Sequence, residues 1–131
     1  PAEVVVCNRL PYKPEEFRET FGQYGPVQPC TYLALKGHRA DVIINATSAS
    51  VSGVVPQLPD NILVAGGVCY DLYYSKTATA FQQWAAEQGA SKNLDGLGML
   101  VEQAAESFNI WRGVRPETAA VLQALREELS S

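Results

Sequence analysis

Several clusters in this chain carry side chains suited to a charged, partly apolar ligand. The longest is Asn93-Leu94-Asp95-Gly96-Leu97-Gly98-Met99-Leu100-Val101-Glu102-Gln103. Asp95 suits a helix N-cap or first turn, where a carboxylate meets free backbone N–H groups. Gly96 and Gly98 then fall in the first turns, where each costs about 1 kcal/mol against Ala. Two such glycines imply that something approaches the backbone closely. Gly96, Met99 and Gln103 share one stripe, so a ligand at the glycines also meets a thioether and an amide. The plainer alternative is a buried helix whose Gly-rich start packs tightly.

Arg9 follows the apolar run Glu3-Val4-Val5-Val6-Cys7. In open α/β sheets the carboxyl end of a strand faces the ligand crevice. An acidic residue there holds the ribose 2′-OH of NAD, whereas an Arg accommodates the 2′-phosphate of NADP. The guanidinium offers that phosphate a planar fork of donors; the alternative is a solvated loop Arg. A second apolar run, Asp41-Val42-Ile43-Ile44, leads into Asn45-Ala46-Thr47-Ser48. Small hydroxyl and amide side chains there could line a cofactor pocket, or simply build a turn. His38, the one histidine, sits among Gly37, Arg39 and Asp41 and reads as solvated.

These residues need strands and helices to position them. The β-branched runs at 3–7 and 41–44 predict buried strands, the first covered on both faces as in a parallel sheet, and Gly67–Leu72 predicts a third strand. Residues 14–24 read as a helix, with Pro14 in its first turn and Phe17, Phe21 and Tyr24 on one face. Val27 to Gly37 is ambiguous and fits a short strand followed by a turn of helix. Asn61 to Val64 is equally open, and 54–60 reads as loop. Asp71, at a strand end, could cap the helix predicted over 79–88, which Gly89 closes. Leu97, Leu100, Val101, Ala104, Ala105, Phe108 and Trp111 predict a buried helical stripe ending at Gly113. A last helix is predicted over 116–129, its outer face of Arg126, Glu127 and Glu128 solvated.

At 131 residues and 47% hydrophobic content, one domain with a real core is expected. A net charge of −4 argues against a nucleic-acid partner. Cys7, Cys30 and Cys69 form no C-x-x-C pair, so free thiols in a reducing cytosol are expected, with no metal site. No signal peptide and no membrane span are read from the sequence. Alternating strands and helices give an α/β fold with a mostly parallel sheet flanked by helices.

Four segments resemble the shikimate dehydrogenases. Residues 93–104 match Asn-x-Asp-Gly-Leu-Gly-Met-Leu-Val-x-Gln-Ala; Asn45-Ala46-Thr47-Ser48 matches Asn-Ala-Thr-Ser. Asn8-Arg9 matches the start of Asn-Arg-Thr, with Leu10 in place of Thr. Tyr70-Asp71-Leu72-Tyr73-Tyr74 is similar to Tyr-Asp-Met-x-Tyr, with Leu72 where Met is often found. The resemblance implies a Rossmann-like fold without its first strand and Gly-rich loop. Residues 1–113 would be a partial NADP-binding domain, and 114–131 a C-terminal helix in the same compact unit. It further implies that Asn8, Arg9 and Lys13 hold the adenosine phosphate. Asn45, Thr47, Leu72, Gly96 and Met99 would line the dinucleotide, with Tyr74 and Gln103 touching the substrate. The implied activity is NADPH-dependent, reversible reduction of 3-dehydroshikimate to shikimate in aromatic amino-acid biosynthesis. The family's catalytic Lys belongs to an N-terminal domain, so no catalytic residue is assigned here and Lys76 is not taken as a base. The chain alone is expected to be inactive, and to seek a complementing N-terminal fragment or a second copy. The alternatives are a quinate/shikimate dehydrogenase portion, or a non-catalytic domain binding a nucleotide or a protein.

Overall fold

The computed structural model describes residues 1–131. The chain forms two compact units, one of residues 1–39 with 57–62, the other of 40–56 with 63–131. The length suggested one domain, but the division runs through the loops around residues 40 and 57–62. Residues 114–131 belong to the same unit as the helix before them.

The first unit is a β–α–β crossover. Strand β1 (Val4–Cys7) leads into helix α1 (Tyr12–Phe21), a 3-10 turn over Gly22–Tyr24, and strand β2 (Val27–Cys30). β1 and β2 are parallel, with Val4 opposite Val27 and Cys7 opposite Cys30. This resolves the ambiguous stretch after Gly25: its start is a strand, and Leu33–Leu35 is a single 3-10 turn. Pro29 lies within β2. A missing N–H is tolerated there because β2 pairs on one side only. Pro14 is buried in the first turn of α1, while the tilted rings of Phe17 and Phe21 pack with 4.5 Å between ring centres and remain partly exposed. β1 was expected to be covered on both faces. Instead Val4 is exposed and Val5 to Cys7 are half-buried.

The second unit holds β3 (Ala40–Asn45), β4 (Leu63–Asp71), helix α2 (Ala80–Glu87), β5 (Lys92–Leu94), and helices α3 (Leu97–Arg112) and α4 (Ala119–Ser130). Its strands are all parallel, in the order β3–β4–β5. β4 joins two segments that read as separate in sequence. Its register against β3 slips between Ala40 and Val42, and Gly66 takes a left-handed φ of 78° at the irregularity. β5 escaped the sequence reading because three residues, Lys92 to Leu94, carry no apolar run.

The core of this unit is Leu63, Cys69, Phe81, Ala85, Leu97, Val101 and Ala105. Thr79 caps α2 in a complete capping box with Gln82, and Gly89 (φ 77°) follows it. α3 ends at Gly113 (φ 70°) as expected. Its predicted stripe is only partly buried: Leu97, Val101 and Ala105 face inward, but Phe108 is 45% and Trp111 77% exposed. Val42 and Ile44 of β3 are likewise exposed rather than buried, since β3 contacts chiefly β4. α4 starts later than its Pro-Glu signal, so Pro116 and Glu117 precede it. No helix is long and apolar enough to cross a membrane.

Candidate functional site

The carboxyl ends of β3 and β4 meet at a buried carboxylate. Asp71, the last residue of β4, is fully buried. One oxygen accepts from the Asn45 amide at 3.2 Å and from the Tyr73 backbone N–H at 3.2 Å. The other accepts from the Ser50 and Thr79 hydroxyls, both at 2.6 Å. Ionised carboxylates only accept, and here four donors converge on the two oxygens. Asn45 is equally committed. Its amide donates to Ser50 (2.9 Å) and Asp71, while its oxygen accepts from the Thr47 N–H (3.2 Å) and hydroxyl (2.7 Å). The Thr47 hydroxyl in turn accepts from the Ala49 N–H at 3.1 Å. The side chains of Asn45 and Thr47 are therefore spent on shaping the loop after β3. Asp71 does reach the next helix, but through the cap residue Thr79.

Gly96 explains itself through the chain rather than through a ligand. A Cβ built there would lie 2.5 Å from the Leu72 carbonyl carbon and nearer still to its oxygen. The Gly96 N–H also donates to the Tyr73 carbonyl at 3.3 Å. What approaches this glycine is thus the backbone leaving β4. Gly98 differs: a Cβ there would meet nothing within 4 Å. Leu72, Asn45 and Gly96 form one continuous contact, since the Leu72 N–H donates to the Asn45 carbonyl at 3.0 Å. Met99 is 43% exposed and Gln103 is exposed one turn on, its amide donating to the Leu100 carbonyl at 3.1 Å. Both stand on an open face of α3, available to a ligand. Tyr74 is half-buried, its ring 6.4 Å from that of Tyr73.

Asp95 is not the N-cap of α3; that position is Gly96. The carboxylate still accepts the Leu97 N–H at 3.1 Å, and both its oxygens take the fork of Arg126 from α4. Arg126 was read as solvated surface, but it is the tie between α4 and the start of α3. A second tie holds the other end. Arg115 pairs with Glu102 (2.8 Å) and Glu106, and the Thr118 hydroxyl donates to Glu102 at 2.6 Å. Burial pushes the Asp95 carboxyl up, but the Arg126 fork and the Leu97 N–H outweigh it and hold it below the usual range. A carboxyl lowered on folding stabilises above its unfolded value near 3.8 and loses that contribution as pH falls further. With Arg126 47% exposed, the tie is worth about 0.5–1 kcal/mol after screening. Arg126→Ala should therefore lower the melting temperature at neutral pH, and the gap from the parent chain should narrow as pH falls below 3.8. A gap unchanged in acid would show that Arg126 acts by packing alone. A cavity of about 280 Å³ opens beside this pair, lined in part by Lys76, Thr77 and Gln82. None of the residues assigned from the sequence lines it.

In the first unit, the Asn8 carboxamide oxygen accepts from the Leu10 N–H at 2.9 Å and turns the chain after β1. Arg9 is exposed and pairs with no carboxylate. Lys13 lies over the Tyr12 ring at 5.3 Å and pairs with Glu16 at 3.4 Å. The register also brings Cys7 opposite Cys30, which the sequence spacing did not reveal. Burial, and the Cys30 thiol beside it, push the Cys7 thiol up to about 11, so it stays protonated near neutral pH. No cluster of His, Cys, Asp and Glu in the chain could hold a metal ion.

Residues 96–126, which carry Gly96, Met99 and the Asp95-bound Arg126, match the family model described as Shikimate 5'-dehydrogenase C-terminal domain. Over 128 residues the chain is 50% identical to the shikimate dehydrogenase (NADP(+)) of Methylococcus capsulatus, covering 98% of this chain and 46% of that protein. The chain is similar to the C-terminal part of the shikimate dehydrogenases. It spans about half the length of the curated relatives it matches, and corresponds to their C-terminal part. Among solved structures, the Ael1 enzyme from Pseudomonas putida is 41% identical with a TM-score of 0.86, covering 95% of this chain and 46% of that one. The shikimate 5-dehydrogenase of Thermus thermophilus, solved with NADP(H) and shikimate, is 30% identical with a TM-score of 0.75 over the same shares. As in the shikimate dehydrogenases it resembles, this chain builds parallel sheets flanked by helices.

Proposed function

We propose that this chain supplies the NADP-binding portion of an enzyme that reversibly reduces 3-dehydroshikimate to shikimate. The observation that carries the reading is Arg9. It is an exposed guanidinium without a carboxylate partner at the carboxyl end of β1, in a chain half identical to NADP(+)-dependent shikimate dehydrogenases. Bound NADPH would supply the hydride; the protein supplies orientation and charge. In the first unit, Arg9 grips the adenosine 2′-phosphate with its fork, and Asn8 sets the turn that presents it. Lys13 adds a second positive charge once it exchanges Glu16 for the phosphate.

In the second unit, Asn45 and Thr47 fix the loop along which the dinucleotide runs. Leu72, Gly96 and Met99 form an apolar wall for the nicotinamide end, Gly96 by keeping the turn after β4 close to α3. Tyr74 and Gln103 offer a hydroxyl and an amide to the hydroxyls and carboxylate of the substrate. No residue of this chain is assigned to proton transfer, so the 131-residue polypeptide alone is expected to show no shikimate-dependent formation of NADPH. Substrate enclosure and proton transfer fall to the part of the enzyme that the curated relatives carry beyond this half. A cytoplasmic setting fits the three free thiols.

The test is kinetic, in the longer enzyme carrying this sequence. Arg9→Ala should raise KM for NADP+ about tenfold or more, corresponding to about 1.4 kcal/mol or more, and leave KM for NAD+ nearly unchanged. An equal effect on both coenzymes would remove Arg9 from the phosphate site.

A further inference from the structure

We infer that Asp71 is a positioning residue: it ties the loop after β3 to the turn after β4, so that both present their residues in one fixed arrangement. The inference deepens the proposed function and rests on it. The loop carries Thr47 and starts at Asn45, the last residue of β3, and the turn carries Leu72 and Tyr74. Neither segment is held by regular secondary structure, since β3 ends at Asn45 and β4 at Asp71. What holds them is the carboxylate. Ser50, five residues beyond Asn45, and Thr79, eight beyond Asp71, donate to the same oxygen. Asn45 and the Tyr73 N–H share the other. The carboxylate thus gathers the strand end before the loop, the 3-10 turn after it, the turn after β4 and the cap of α2.

The chemistry explains why a carboxylate is needed. All four groups are donors, and a neutral amide would turn two of its own hydrogens toward two of them. No cation stands among the partners, so the carboxylate is held by directed hydrogen bonds, which fix angles as well as distances. Ser50 makes the link reciprocal, because its hydroxyl donates to Asp71 while accepting from the Asn45 amide. Loosening either end therefore loosens the other. Leu72 hangs from the same link through its N–H bond to the Asn45 carbonyl, and its carbonyl sits against Gly96.

Asp71 variants could fail to fold, so the test uses Ser50. In the 131-residue chain, Ser50→Ala removes one of the four donors and leaves the carboxylate in place; Ser50→Thr keeps the hydroxyl. Amide hydrogen exchange should accelerate at least about tenfold in Ser50→Ala at Thr47 and Ala49 and also at Leu72 and Tyr73, 21 or more residues away in sequence. Val101 and Ala105 of α3 should keep their protection, and Ser50→Thr should restore the original rates. Acceleration confined to residues 47–49 would overturn the inference, as would acceleration spread equally over α3, which is the mark of global destabilisation. Calorimetric titration of the same samples with NADP+ should show affinity about tenfold weaker in Ser50→Ala and restored in Ser50→Thr. Unchanged affinity in Ser50→Ala would overturn the positioning role. If the unmodified chain binds no NADP+, the functional reading falls, and the exchange pattern by itself decides whether Asp71 couples the two segments.

Discussion

Gly96→Ala is expected to destabilise the second unit by about 3 kcal/mol or more, a large fraction of the 5–15 kcal/mol that holds a typical domain together. The new methyl would enter the space of the Leu72 carbonyl, 2.5 Å from its carbon and 3.2 Å from its Cα. Backbone atoms cannot rotate away as a side-chain tip can. Relief requires moving the turn after β4 away from α3, which breaks the Gly96 N–H bond to Tyr73 and pulls Leu97 out of the core, where it is 1% exposed. Gly98→Ala is the built-in control. Its Cβ meets nothing within 4 Å, and alanine is favoured over glycine in a helix by up to about 1 kcal/mol. Denaturant midpoints of the two variants should therefore move in opposite directions. If Gly96→Ala melts like the parent chain, the close approach to Leu72 is not what fixes this glycine.

Asp71→Ala carries the second large effect. It strands four donors around a fully buried position, of which only the Asn45 amide keeps a second partner, the Ser50 hydroxyl. Each buried unsatisfied donor costs about 1–3 kcal/mol, but the hydroxyls can turn toward other acceptors, so a total of about 3–5 kcal/mol is expected. Asp71→Asn keeps the volume and two of the four bonds, and should cost about 1–3 kcal/mol. Urea denaturation measures both. An Asp71→Asn variant as unstable as Asp71→Ala would mean that the charge, not the number of acceptors, holds the network.

The sequence made the strands, the crossover helices and the glycine stops legible because they are local. β-branched runs mark β1 and β3; Gly89 and Gly113 end their helices where the periodicity does. What stayed hidden depends on distance. No local signal says that Asp71 will meet Ser50, 21 residues earlier, or that Arg126 will reach back 31 residues to Asp95. Gly96 shows how a correct physical reading can have the wrong object. Its bare backbone did imply a close approach, but the approaching group is the Leu72 carbonyl. Asn45 and Thr47 were read as pocket lining or turn chemistry. Their hydrogen bonds are those of a turn, so any part they take in holding a cofactor comes through the shape of the loop. The apolar stripe of α3 misled beyond Val101 and Ala105, because periodicity reports which residues share a face and not whether that face is covered.

Titration of the chain with adenosine 2′,5′-bisphosphate and with 5′-AMP, in parent and Arg9→Ala forms, tests the central claim most directly. The two ligands differ only in the 2′-phosphate that Arg9 is proposed to hold. The parent chain should bind the bisphosphate at least about tenfold more tightly, and Arg9→Ala should erase the difference. Equal binding of the two ligands by the parent chain would contradict an NADP-selective site at the end of β1.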